Sequence, residues 1–143
     1  MLVSQILREK GSAVVKAAPE ATLAEAAQVL TRHRVGAVLV LDGRGGPLGI
    51  LSERDIVRAI ARDGASALSH TVASCMSKPV TTCEESDTVE DLAESMTHGR
   101  FRHLPVLNDG RVVGVVSIGD VVKWRIDETV REAQALKDYI AAG

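Results

Sequence analysis

The sequence predicts a mixed α/β (α+β) fold. Two copies of a strand-helix-strand-strand-helix unit pack about a pseudo-two-fold axis through their sheets. The first observation behind this is an internal repeat. Thr22, Ala27, Thr31, Arg34, Val40 and Leu41 recur 66 residues later as Thr88, Ala93, Thr97, Arg100, Val106 and Leu107. After one residue is lost in the middle turn, Gly49, Ser52, Asp55 and Val57 recur as Gly114, Ser117, Asp120 and Val122. A repeat of this length is one supersecondary unit, which seldom buries its apolar face alone. Two copies packed face to face offer two similar clefts, each lined by both. The second observation is that hydrophobic periodicity switches within each copy from helical to strand-like. The third is a core restricted to Val, Leu, Ile and Ala, because Phe101, Trp124 and Tyr139 are the only aromatic residues.

The elements follow in chain order. Val3, Ile6 and Leu7, and later Val72, Cys75 and Met76, have the spacing of one helical face and open each copy with a short helical turn. Extended stretches follow, at Ala13-Val14-Val15 and at Pro79-Val80-Thr81. Thr22 and Thr88 then read as helix N-caps, with Glu25 and Asp91 three residues on, near the positive helix end. Leu23, Ala26, Ala27 and Leu30 supply a buried face, repeated by Val89, Leu92, Ala93 and Met96. The continuous apolar run Ala37 to Leu41 reads as a strand buried on both faces and paired with Leu48 to Leu51. The Gly- and Pro-containing segment between them is turn chemistry. In the second copy Leu104 to Leu107 and Val112 to Val116 flank Asn108-Asp109-Gly110, a tight hairpin signal. A helix closes each copy, starting near Glu53 and near Gly119. The organisation is therefore repeat 1 over 1–63, a linker over 64–71, repeat 2 over 72–126 and a helical extension over 127–143. Val122, Ile126, Val130, Ala133 and Ile140 give this last helix an apolar stripe, which, with Trp124, is read as a contact with a second subunit.

Composition excludes several function classes. The chain has 143 residues, 45% hydrophobic and 25% charged, which is ordinary for a single globular domain. A net charge of -2 gives no overall field for nucleic acid or anionic membrane. Aromatic platforms for stacking single-stranded bases are missing. No apolar run has the length to span a bilayer, and the opening MLVSQILREK has no secretory pattern. Cys75 and Cys83 make no disulfide framework, and His70 with a cysteine lacks the further ligands of a zinc site. A cytoplasmic location is expected.

The sharpest motif closes each hairpin: Gly49-Ile50-Leu51-Ser52-Glu53-Arg54-Asp55 and Gly114-Val115-Val116-Ser117-Ile118-Gly119-Asp120. It has two readings. In one, Ser and Asp are a capping pair and nothing more. In the other, the hydroxyl and the helix N-terminus meet phosphate. The Asp would then hold ribose hydroxyls, as acidic residues do in other nucleotide folds. Gly49 and Gly114 would let the ligand approach the backbone.

Both endings in register, with the strand starts Arg34-Val35-Gly36-Ala37-Val38 and Arg100-Phe101-Arg102-His103-Leu104, resemble a tandem pair of cystathionine-β-synthase (CBS) domains, a Bateman module. The resemblance runs from about Val3 to about Ile126. It implies clefts for adenosine compounds: AMP, ADP, ATP, NAD(H) or S-adenosylmethionine. It also implies that each cleft is made crosswise. By position, one cleft holds Ser117 and Asp120 with Ala13, Val14, Val15, Val35, Gly36 and Ala37. The other holds Ser52, Arg54 and Asp55 with Pro79, Val80, Thr81, Phe101, Arg102 and His103. Arg102 is expected near the centre of the seam, open to either cleft, and Lys10, Lys16 and Lys78 are further candidates for phosphate contact. Modules of this family commonly pair into flat homodimers.

No nucleophile with its base, carboxylate pair or metal set assembles a reaction centre, so catalysis and a catalytic cofactor are not expected. The first reading is a stand-alone energy sensor that binds adenosine nucleotides and signals by conformational change to an unidentified regulated protein. A structural or dimerisation module with vestigial clefts is the alternative. RNA binding through Arg32, Arg34, Arg100 and Arg102 is a third reading, against which the near-zero net charge counts.

Overall fold

The computed structural model describes residues 1–99 and 101–143. Arg100, named above at the second strand start and in the RNA reading, lies outside the described residues. The first copy contributes helix α1 (Val3–Lys10), helix α2 (Leu23–His33), strands β1 (Ala37–Leu41) and β2 (Pro47–Ser52), and helix α3 (Glu53–Asp63). A 3-10 turn over Gly64–Ser69 leads to the second copy. That copy has α4 (Val72–Cys75), β3 (Cys83–Glu84), α5 (Val89–Gly99), β4 (His103–Asn108), β5 (Arg111–Ser117) and α6 (Ile118–Ala142).

The two halves repeat each other closely. β1 and β2 pair antiparallel from Ala37 opposite Ser52, and β4 and β5 pair from His103 opposite Ser117. Each hairpin has an irregularity at the same place, after Val40 and after Val106. Asp109 and Gly110 both have positive φ, 51° and 77°, as a two-residue hairpin turn of this hand requires. In the first hairpin the Asp42 carboxylate instead accepts the amides of Arg44 at 2.7 Å and Gly46 at 2.9 Å. These hydrogen bonds hold its carboxyl below the usual range. Thr22 and Thr88 cap their helices as expected, accepting the amides of Glu25 and Asp91.

The leading strands depart from expectation. In the first copy the strand is one bridge, Lys16 beside Leu39 in parallel, bonded on either side by Val15 and Ala17. In the second it is β3, parallel to β4, and it lies past the Pro79 to Thr81 stretch that the sequence points to. Ser77 accounts for the shift. It exchanges two backbone hydrogen bonds with Ile50, of 2.8 and 3.1 Å, and this ties the chain to the edge of β2 before Pro79.

The halves also exchange their leading segments. Val3, Ile6 and Leu7 are buried in a core made otherwise by β3, α5, β4, β5 and α6, with Trp124 among its members. Val72 is buried in the first copy's core, with Cys75 and Met76 packed against it. Met1 to Val3 bond to Asp87 and Val89, and Ala21 to Leu23 bond to His70 and Val72. Each opening helix therefore completes the other copy's core. The packing boundaries cross where the linear boundaries, 1–63 and 72–126, do not. Trp124 is 7% exposed, so it belongs to this core rather than to the outward stripe of α6.

Candidate functional site: two crosswise clefts

The exchange sets the clefts. Because α1 lies on β5, the chain after it delivers Ala13 and Val15 to the seam opposite Ser117. A cavity of about 300 Å³ forms there, walled by Lys10, Ala13, Val15, residues 34–39, Ile50, His103, Val115 and Ser117. It brings together Ser117, Ala13, Val15, Val35, Gly36 and Ala37, as the sequence placed them. Val14 is not on its wall, consistent with a neighbour that points the other way along an extended chain. Asp120 borders an adjoining cavity of about 110 Å³ that shares Lys10 and reaches Trp124 and Arg131.

The second cavity, about 390 Å³, is walled by Gly36, Ala37, Ile50, Ser52, Glu53, Arg54, Arg58, Phe101, Arg102 and His103. Ser52, Arg54, Phe101, Arg102 and His103 thus meet as expected. Pro79, Val80 and Thr81 are not on its wall, because Ser77 holds the chain to β2 ahead of them. Asp55 is not on the wall itself but caps the helix whose Ser52, Glu53 and Arg54 are, and its Oδ1 accepts the hydroxyl of that same serine. Arg102 lines this cavity alone, whereas Gly36, Ala37, Ile50 and His103 border both and mark the seam's centre.

Both endings are capping boxes. Ser117 Oγ accepts the Asp120 amide at 3.3 Å, and Asp120 Oδ2 accepts the Ser117 amide at 2.8 Å and the Ser117 hydroxyl at 3.1 Å. Ser52 and Asp55 repeat this at 3.2, 2.9 and 3.1 Å. The first helical amides are also taken, Glu53 N–H by the Gly36 carbonyl at 3.0 Å and Ile118 N–H by the Arg102 carbonyl at 2.8 Å. Among the described residues the next amides, of Arg54 and Gly119, have no protein acceptor. These are the free donors of the two helix N-termini.

The aspartates differ in their outside partner. Lys10 Nζ donates to Asp120 Oδ2 at 2.6 Å and to the Val115 carbonyl at 2.8 Å. At the corresponding place Ser77 Oγ donates to Asp55 Oδ1 at 3.2 Å. Burial works against the charge of Asp120, but the Lys10 ammonium and the Ser117 donors outweigh it, and its carboxyl is held below the usual range. Burial foremost, then the positive charges of Lys10 and Arg102, push His103 below the ordinary histidine value, against the opposing pull of Asp120. His103 is therefore neutral at pH 7.

Gly49 and Gly114 do not face a ligand. A Cβ on Gly114 would stand 2.6 Å from Leu7 Cδ2, and one on Gly49 would stand 2.5 Å from Met76 Sδ. Both glycines make room for the exchanged leading segments. Lys10, a candidate for phosphate contact, and Arg34, which opens the first strand-start motif, are on the first wall. Arg58 and Ser77 are at or beside the second cleft although no motif pointed to them. Arg34 has a signal, since it ends α2 in the left-handed conformation (φ 54°) and turns the chain into β1 at the cleft wall. Lys16 and Lys78 are not on either wall. Cys83 is buried, which foremost pushes its thiol up to about 12, so it is no nucleophile. Among the described residues no His, Cys, Asp and Glu side chains cluster to hold a metal, and no helix is long and apolar enough to cross a membrane.

Comparison with known proteins fits this geometry. The CBS domain profile matches residues 3–62 and again 72–133. The chain is 34% identical over 150 residues to the Arabidopsis thaliana CBS domain-containing protein CBSX3, mitochondrial, covering 99% of this chain and 72% of that one. It superposes on the CBS-domain containing protein ATU1752 from Agrobacterium tumefaciens with a TM-score of 0.84 at 46% identity, covering 87% and 99% of the two chains. Two further similar structures carry ligands. One is the CBS domain protein PAE2072 from Pyrobaculum aerophilum complexed with AMP (TM-score 0.74, 32% identity, 84% and 89% covered). The other is the CBS domain pair of protein MJ0100 with 5-methylthioadenosine and S-adenosyl-L-methionine (TM-score 0.80, 27% identity, 90% and 98% covered). A similar segment forms 19% of a Methanocaldococcus jannaschii protein named L-aspartate semialdehyde sulfurtransferase, at 30% identity over 70% of this chain. With two profile matches spanning nearly its whole length, its two halves exchanging their leading helices around a shared seam, the chain belongs to the CBS domain family as a tandem pair.

Proposed function

We propose that this chain is a non-catalytic regulatory module that binds adenosine nucleotides of the AMP, ATP or NAD(H) type in its two clefts. The observation that carries the reading is the makeup of the walls. In each, a serine-capped helix N-terminus from one copy faces the first sheet strand of the other. In the Asp120 cleft Ala13, Val15 and Val35 make an apolar slot for a purine. Lys10, Arg34 and the free Gly119 amide surround the place for phosphate, and Asp120 Oδ1 remains available to ribose. In the Asp55 cleft Arg54, Arg58 and Arg102 gather more positive charge, which favours a ligand with more phosphate groups. The AMP and the S-adenosylmethionine complexes of the similar pairs support an adenosine ligand, and the cations favour the phosphorylated kind. A ligand touching both copies biases how they pack, by no more than its differential affinity for the two arrangements. Free Cys75 and Cys83 accord with a reducing compartment such as the cytoplasm. The outward stripe of α6 is read as the contact of a homodimer.

Calorimetry of the nucleotide-stripped protein against AMP, ATP, NADH and S-adenosylmethionine tests this. Saturable binding of a phosphorylated ligand, lost from one cleft in Asp120→Ala with the fold intact, is the expected result. No heat and no thermal shift with any of the four overturns it. The second reading, a structural module, is favoured by the closed hydrogen bonding of both aspartates, which have structural work without a ligand. Under that reading the same variants lose stability but there is no binding to lose.

A further inference from the structure

Helix α6 has two faces with different destinies. Val121 and Trp124 enter the core, and the helix then runs on to Ala142. On the opposite side stand Val122, Ile126, Thr129, Ala133, Leu136 and Ile140, spaced alternately by three and four residues. That is the a/d spacing of a two-stranded coil, with Ile126, Ala133 and Ile140 at a and Val122, Thr129 and Leu136 at d. The large members of the seam are open: Ile126 is 57%, Leu136 60% and Ile140 68% exposed.

We infer that this seam pairs with the same seam of a second copy, with the two α6 helices parallel and in register. The inference rests on the homodimer reading above and specifies its orientation. Charge complementarity chooses the partner and the direction. Glu132 is at g and Lys137 at e of the next heptad. In a parallel pair, g of one helix meets the following e of the other, so Glu132 faces Lys137 twice across the two-fold axis. In an antiparallel pair g meets g and e meets e. Glu132 and Lys137 would then never face each other, whatever the register. Ile126 and Ile140 at a, with Leu136 at d, also suit two parallel strands. Among the described residues neither Glu132 nor Lys137 makes an ion pair within its own chain.

Sedimentation equilibrium of the full chain and a cross-link test this together. In a Cys75→Ser background, Leu136→Cys is expected to form a reducible dimer through its own counterpart, since equal d positions meet only in the parallel register. Glu132→Lys is expected to weaken dimerisation about tenfold, and Glu132→Lys with Lys137→Glu to restore it to within about threefold. All three positions are exposed, so folding is retained. A chain that stays monomeric at micromolar concentration overturns both the homodimer and the inference. A stable dimer without the Leu136→Cys cross-link, or without rescue by the charge swap, overturns the parallel pairing alone.

Discussion

The Asp120 cleft and the Asp55 cleft share the capping box that starts a helix, and they part company in what surrounds it: Ala13 and Val15 wall the first, whereas Pro79 to Thr81 stay off the wall of the second. At Asp120 the outside partner is the ammonium of Lys10, arriving from 110 residues away. At Asp55 it is the hydroxyl of Ser77. A cation on the aspartate can be handed to a phosphate, whereas a hydroxyl brings no charge. The Asp55 cleft draws its charge from Arg54, Arg58 and Arg102 on its own wall instead. The repeat thus keeps the capping box that builds the helix start and varies what surrounds it. The two sites touch at Gly36, Ala37, Ile50 and His103, of which His103 is the titratable one.

The comparison breaks most completely if the aspartates are removed. Asp120→Ala and Asp55→Ala should each abolish one class of binding, about 100-fold or more in affinity, and leave the other class in place. Each should also cost about 1 kcal/mol of stability through the lost cap, read by denaturant unfolding. Next in size is the outside partner. Lys10→Ala should weaken a phosphorylated ligand in the Asp120 cleft about tenfold, while Ser77→Ala changes the Asp55 cleft less than about threefold, by calorimetry. Equal effects would mean that Lys10 is no more than a brace. Gly114→Ala should destabilise by about 1–3 kcal/mol, because the branched Leu7 cannot withdraw from a new Cβ. Gly49→Ala should cost less, since the unbranched Met76 can swing aside.

The smallest effect is one of pH. Burial and two cations keep His103 neutral, so the unfolded chain takes up its proton first as pH falls through the ordinary histidine range. Stability should therefore decline on acidification below about pH 6.5, and His103→Gln should flatten that decline. An anionic ligand beside His103 works the other way and raises its proton affinity. Binding should then tighten from pH 8 to 6 with proton uptake, seen as a dependence of the calorimetric heat on the buffer's ionisation enthalpy.

Much of this was legible before any coordinates. The capping pairs, the hairpins and the buried helix faces are local patterns, and local patterns carry their own period and turn chemistry. Ser52, Ser117, Gly36-Ala37 and Phe101 to His103 could be placed on the clefts because the resemblance to CBS pairs implies crosswise clefts and the repeat aligns the two copies. The exchange of α1 and α4 was not legible. It depends on which copy a short apolar helix packs against, and periodicity is blind to that. Lys10 and Ser77 were out of reach as aspartate partners for the same reason. Gly49 and Gly114 were misread because a missing Cβ looks the same whether it makes room for a ligand or for Leu7. The second leading strand was misplaced because Ser77, an ordinary residue in sequence, pins the chain early.

The most direct measurement is a calorimetric titration of AMP into the nucleotide-stripped protein, the Asp55→Ala variant and the Asp120→Ala variant. Two crosswise, unequal clefts predict two resolvable affinities in the parent, with each variant deleting a different one. A single class of sites lost equally in both variants, or heats unchanged by either, would contradict the account.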